Sequence, residues 1–203
     1  MSPRDRPTFL ALGDSYTIGE GVDPADRWPV QLVRLLRTRG LDVADPDIIA
    51  RTGWTTGELA AGIAVAAPAG PYGLVSLLIG VNNQYRGEAA RRYREDLRTL
   101  LLRGVAYADG RAGRVVVFSI PDWGVTPFAA GRDRARIAAE IDSFNTVGRE
   151  EARLAGAHFV DVTPVSREAH EGWVTADGLH PSGRQYAKWA ELAQEAAGLA
   201  LGN

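Results

Sequence analysis

The sequence predicts one three-layer α/β/α domain over residues 1–203, built on a central parallel sheet of five strands. Three observations carry that expectation. Short apolar runs alternate with segments of helical periodicity along the chain. The runs at 9–12, 74–80 and 115–118 are apolar almost throughout, as strands buried on both faces are. The spacers between runs are long enough for the crossover helices that parallel pairing requires. At 203 residues the chain supports one well-filled core and is too short for two domains of ordinary size.

The elements follow in order. Phe9-Leu10-Ala11-Leu12 is the first strand and halts at Gly13-Asp14-Ser15; residues 19–26 are polar and glycine-rich, hence a loop. In 28–39, Val30, Leu32, Val33, Leu35 and Leu36 interleave with Arg34, Arg37 and Arg39 at helical spacing, and Gly40 stops the helix. Ile48-Ile49-Ala50 is a second strand, followed by a turn at Gly53 and a helix capped by Thr55 or Thr56 that runs toward Ala66. Residues 60–70, rich in small side chains, read as loosely ordered. The 74–80 run is the third strand, ending at Asn82-Asn83, and 88–103 is a helix with Tyr93, Leu97, Leu100 and Leu101 on one side. Residues 115–118 form a fourth strand ended by Pro121, 132–154 a long helix, 157–160 a fifth strand, and 181–199 a final helix with Pro181 in its first turn.

Bulk composition narrows the function. Twenty-three basic residues against 25 acidic ones leave a formal net charge of -2, so no global field draws nucleic acid or an anionic membrane. The absence of cysteine excludes disulfides, thiolate metal sites and a cysteine nucleophile. With few histidines and no carboxylate cluster at metal-ligand spacing, neither metal nor organic cofactor is expected. The opening Met1-Ser2-Pro3-Arg4-Asp5-Arg6-Pro7 leads straight into the first strand without an apolar segment or cleavage site. The expectation is a cytoplasmic chain with no signal peptide and no membrane span.

Chemistry-bearing residues gather at the predicted strand ends. Ser15 sits just past the first strand, where working groups of open α/β sheets are found; its bland alternative is a helix cap. A serine hydroxyl is a weak nucleophile at neutral pH and needs a base, itself oriented by a third group. Asp177-Gly178-Leu179-His180-Pro181 offers both, Asp177 lying three residues before His180, although an Asp-Gly pair also makes an ordinary turn. Gly53 and Asn82 follow the next two strands and suit hydrogen-bond donation to an oxyanion, or simple turns. Consecutive extended side chains alternate sides, so of Asn82 and Asn83 only one is expected to face Ser15. Asp14 reads as a local acceptor, and His158 and His170 as structural. Tyr16, Trp54, Tyr85, Trp123 and Trp173 stand beside these blocks and are candidate substrate-pocket residues.

Gly13-Asp14-Ser15, Gly53, Gly80-Val81-Asn82-Asn83 and Asp177-Gly178-Leu179-His180, in that order, resemble the four blocks of the GDSL-type, or SGNH, hydrolase family, and the resemblance spans nearly the whole chain. One departure is that Asn83 stands where that family often has Asp. The resemblance implies a flavodoxin-like strand order and a serine ester hydrolase with Ser15, Asp177 and His180 as its triad. It also implies an oxyanion hole from the Ser15 N–H, the Gly53 N–H and the Asn82 amide. The implied partner is a small-molecule ester, with short acyl chains expected because the loops carry no long apolar tract. Acyl transfer, thioester cleavage and lysophospholipase activity use the same residues. A non-catalytic phosphate or flavin module, seated on the Gly/Thr-rich 52–58 loop, is the alternative from another class.

Overall fold

Five strands, β1 (Phe9–Gly13), β2 (Pro46–Ala50), β3 (Leu74–Leu78), β4 (Val115–Phe118) and β5 (His158–Val160), lie parallel in the order β2-β1-β3-β4-β5. The computed structural model describes residues 6–168 and 170–202; the stretch from Met1 to Asp5, read above for targeting, lies outside the described residues. Among the described residues no helix is long and apolar enough to cross a membrane.

Register decides where the site forms. Gly13 pairs with Ala50 on one side and Leu78 on the other, so β1, β2 and β3 end level. The strand order reverses direction at β1, and the turns after β1 and β3 therefore open a crevice at the carboxyl edge, where ligands of such sheets bind.

Helices cover both faces. After α1 (Ser15–Ile18) come α2 (Trp28–Thr38), α3 (Thr56–Ala66), α4 (Val81–Tyr85), α5 (Ala90–Tyr107), α6 (Arg134–Ala155), α7 (Thr163–Arg167) and α8 (Gly183–Gly202). α2 packs on α8, while α5 packs on α3 and α6. Trp28, Trp189 and Tyr186 are fully buried, and the Trp28 ring stands 4.4 Å from Phe118 on β4. These rings anchor the sheet to the α2/α8 layer by apolar contact, although Trp28 Nε1, Trp189 Nε1 and the Tyr186 hydroxyl are buried without a hydrogen-bond partner among the described residues, which offsets part of the gain.

The expectation of loose order at 60–70 is corrected. α3 continues to Ala66 because its start is doubly capped: Thr55 Oγ1 accepts from the Glu58 N–H, and Glu58 Oε2 accepts from the Thr55 N–H at 2.8 Å. Leu59 and Ile63 then bury the inner face. Pro181 is corrected too. It precedes the last helix, pairing with Val174 in an isolated antiparallel bridge, and α8 starts at Gly183. The short α1, α4 and α7 have too few residues to show a 3.6-residue period, which is why the pattern of apolar positions does not reveal them.

Candidate active site

The Gly13-Asp14-Ser15 turn is fixed by close approach and by a cap. A Cβ on Gly13 would stand 2.5 Å from the Leu78 carbonyl oxygen, so β1 can run this close to β3 only with glycine there. Asp14 is the N-cap of α1, its Oδ1 accepting from the Tyr16 N–H at 3.0 Å. Burial drives the Asp14 carboxyl up to about 7, against the lowering effect of that hydrogen bond. Asp14 is a structural acceptor, as its position beside Ser15 suggested, and its Oδ2 is buried with no partner among the described residues. Ser15 opens the helical turn, only 4% exposed.

Asp177 and His180 meet through bonds made within one loop. Asp177 Oδ1 accepts from the Leu179 N–H at 2.8 Å, the His180 N–H at 3.0 Å and Thr175 Oγ1 at 2.8 Å, while Oδ2 lies 2.6 Å from His180 Nδ1. Partial burial opposes ionisation of Asp177, but these hydrogen bonds outweigh it and hold the pKa near 2. An ionised carboxylate against Nδ1 favours the tautomer with its proton there, which leaves Nε2 as the basic nitrogen. The Tyr16 ring meets the imidazole edge-on, with centroids 5.6 Å apart.

One cavity of about 170 Å³ brings the strand ends and this loop together: Ser15, Gly53, Asn82 and His180 all line it. Gly53 has φ +84°, a left-handed turn that favours glycine. Among the described residues, no turn or loop carbonyl and no side chain accepts from the Ser15 or Gly53 N–H. Asn82 Nδ2 donates to the Trp54 carbonyl at 2.9 Å, which orients the amide and uses one of its two N–H groups. Asn83 turns inward instead. Its Oδ1 accepts from the Thr56 N–H at 3.1 Å, and its Nδ2 donates to Thr56 Oγ1 at 2.8 Å and Glu88 Oε2 at 2.9 Å. The two asparagines do part company, but not by strand alternation. Both lie in α4, where successive side chains diverge by the helical turn.

The aromatic candidates divide. Tyr16, Tyr85 and Trp123 line the cavity with Ser15, whereas Trp173 lines a neighbouring cavity of about 470 Å³. Trp54 is placed outside the Ser15 cavity as well, its ring lying on α3 against Gly62. Phe128, Val81 and Leu179 complete the apolar wall. No local pattern singles them out, since they are brought together only by packing. The 52–58 loop is poorly suited to phosphate, because the N–H groups of Thr55, Thr56 and Glu58 are already taken by Glu58, Asn83 and Thr55. Among the described residues, no three imidazole, thiol or carboxylate groups could hold a metal ion.

Comparison with known proteins gives the family and the fold. A family model described as the GDSL-like lipase/acylhydrolase family matches residues 11–188. Among solved structures, TesA is similar with 21% sequence identity and a TM-score of 0.75, over 96% of this chain and 99% of that one. The psychrotrophic esterase EstA from Pseudoalteromonas sp., inhibited by monoethylphosphonate, aligns at 16% identity and TM-score 0.70 over 97% and 99% of the two chains. The acetyl xylan esterase Axe2-W215I from Geobacillus stearothermophilus aligns at 19% identity and TM-score 0.71 over 95% of each. At these identities the likeness is one of fold. No functionally curated protein matches the sequence.

Proposed function

We propose that this chain, which belongs to the GDSL-like lipase/acylhydrolase family, is a serine ester hydrolase that works through an acyl-enzyme on short-chain acyl or acetyl esters. The observation that carries the reading is the 2.6 Å contact of Asp177 Oδ2 with His180 Nδ1, in a loop that brings His180 into the same small cavity as Ser15. His180 Nε2 takes the Ser15 hydroxyl proton as Oγ attacks the ester carbonyl carbon, and ionised Asp177 stabilises the imidazolium that forms. The carbonyl oxygen becomes an oxyanion, received by the Ser15 N–H, the Gly53 N–H and the second N–H of the Asn82 amide. Collapse expels the alcohol, which leaves with the proton from His180. Water then attacks the acyl-enzyme with His180 again as base, regenerating Ser15 and releasing the acid.

The cavity of about 170 Å³ supports a small acyl group. Each further buried methylene contributes about 0.8 kcal/mol only while there is room for it. The test is labelling with a phosphonate reagent followed by mass spectrometry, alongside hydrolysis of 4-nitrophenyl esters from acetyl to long-chain acyl. The reagent is expected on Ser15, with Ser15→Ala folded and inactive and turnover best on the short esters. Label on another serine, or activity surviving in the alanine variant, removes the proposal.

A further inference from the structure

The rim of the proposed catalytic cavity carries a cation that the hydrolysis steps do not use. Arg132 Cζ lies 5.3 Å from the ring centroid of Tyr85, 5.3 Å from that of Trp123 and 5.4 Å from that of Phe128. All three rings line the cavity that holds Ser15 and His180. Tyr85 and Trp123 are also part of the wall of a second cavity, about 520 Å³, which Arg132 itself lines. The guanidinium thus stands where the two cavities adjoin.

Its hydrogen-bonding capacity is almost unspent. Nη2 donates to the Tyr85 hydroxyl at 3.2 Å, and among the described residues no carboxylate pairs with Arg132. Acidic neighbours in the second cavity are committed elsewhere: Glu140 accepts from Arg136 and Gln84, Glu88 from Asn83, and Asp133 caps α6 through the Arg136 N–H. Contact with ring faces holds a guanidinium in place without consuming its N–H groups, and the planar fork of donors matches carboxylate and phosphate oxygens.

We infer that Arg132 is a specificity-determining residue that receives an oxyanion group, a carboxylate or phosphate, carried by the ester substrate beyond its scissile bond. The inference rests on the hydrolase reading, which sets the scissile bond at Ser15. The apolar part of such a substrate crosses Tyr85, Trp123 and Phe128, and its charge ends at the guanidinium.

Matched esters test it. Mono-4-nitrophenyl glutarate against 4-nitrophenyl valerate puts the charge on the acyl side; 4-acetoxybenzoate against phenyl acetate puts it on the leaving group. After correction for spontaneous hydrolysis, one anionic ester is expected to exceed its neutral counterpart in kcat/KM by about tenfold at low salt. Arg132→Met is expected to abolish that advantage with neutral-ester kcat unchanged, Arg132→Lys to keep part of it, and salt of about 0.5 M to shrink it. Equal losses on all four esters in Arg132→Met would make Arg132 a packing residue and overturn the assignment. Calorimetric titration of the wild-type protein with the corresponding amides, which are not turned over, provides the same charged and neutral pairs as binding ligands. A protein that hydrolyses none of the esters yet binds the anionic amide more tightly, with the difference lost in Arg132→Met, sinks the hydrolase reading alone; indifference to charge in binding sinks the role of Arg132.

Discussion

The two sides of the candidate site are held in opposite ways. The strand-end side, with Ser15, Gly53 and Asn82, is fixed from far along the chain: the Leu78 carbonyl forces Gly13, the Trp54 carbonyl holds Asn82, and buried Asn83 ties α4 to the start of α3. The 173–182 loop is held mostly by bonds of its own, with ties outward from the Phe128 N–H to the Gly178 carbonyl at 3.0 Å and from Trp173 Nε1 to the Val165 carbonyl at 3.1 Å. Thr175 N–H donates to the His180 carbonyl at 2.7 Å, Ser182 N–H to the Trp173 carbonyl at 2.8 Å, and every Asp177 contact lies within three residues. The proposed oxyanion donors on this plan come with the fold, whereas the proposed base and its orienting acid form a largely local unit. Substitutions in the loop should therefore damage chemistry before stability, and those behind the strand ends should do the reverse.

The sharpest test of that division is His180→Ala, expected to lower kcat by about 10,000-fold or more while the unfolding midpoint hardly moves. Asp177→Asn should cost less than His180→Ala, because it leaves the imidazole present but favours the wrong tautomer. A His180→Ala protein that loses several degrees of Tm would show the loop to be part of the structural core. Next in size is Asn82→Ala, which on the proposed mechanism removes a donor whose partner charge exists mainly in the transition state. It should lower kcat by about 100- to 1,000-fold with KM little changed. A rise in KM at constant kcat would assign Asn82 to ground-state binding instead.

Each side also holds one carboxylate with a shifted pKa, and the two shifts have opposite signs. Asp177 is depressed from 3.8 to about 2, so its stabilising contribution is fully present above pH 4 and lost as pH falls through 2. Asp14 is raised from 3.8 to about 7. Between those values the unfolded chain has released a proton that the folded chain retains, so stability declines as pH rises from 4 to 7. Asp14→Asn keeps an oxygen for the Tyr16 N–H and removes the titration. Unfolding free energies from urea titrations at pH 4.5 and 7.5 should differ for the wild type by a few kcal/mol, and hardly at all for the variant. A wild-type midpoint independent of pH across that window would show Asp14 to be ionised in its buried cap.

How legible each side was in the sequence follows from the same contrast. Asp177 and His180 are three residues apart and interact directly, so their spacing made the pair a candidate, and the family resemblance supplied its expected role. The parallel α/β fold was equally readable, because buried strands such as Leu74–Leu78 appear as uninterrupted apolar runs. The apolar wall was not: Phe128 and Leu179 come from separate turns and adjoin Tyr85 only through packing, while Trp54 beside Gly53 turns away onto α3. Short α4 also hid its helical geometry behind an apparent strand end.

Asn83 gives the smallest effect and the finest test of the strand-end side. The family resemblance places Asp at this position in many members, and the hydrogen bonds explain why this chain has asparagine. Oδ1 accepts from the Thr56 N–H, which aspartate could also do, but Nδ2 donates to Glu88 Oε2 at 2.9 Å, which aspartate cannot. Asn83→Asp would set two carboxylates within hydrogen-bond distance in a largely buried position, so one must take up a proton or Glu88 must swing out. The expected cost is about 1–3 kcal/mol of unfolding free energy at neutral pH, shrinking in acid, with kcat on a short ester largely retained. Adding Glu88→Gln to Asn83→Asp restores a donor opposite the new carboxylate and should recover most of the loss, a coupling that a double-mutant cycle reads directly. Independent, additive effects of the two substitutions would mean that Glu88 does not select the amide, and a large fall in kcat for Asn83→Asp would move the oxyanion donor from Asn82 to its neighbour.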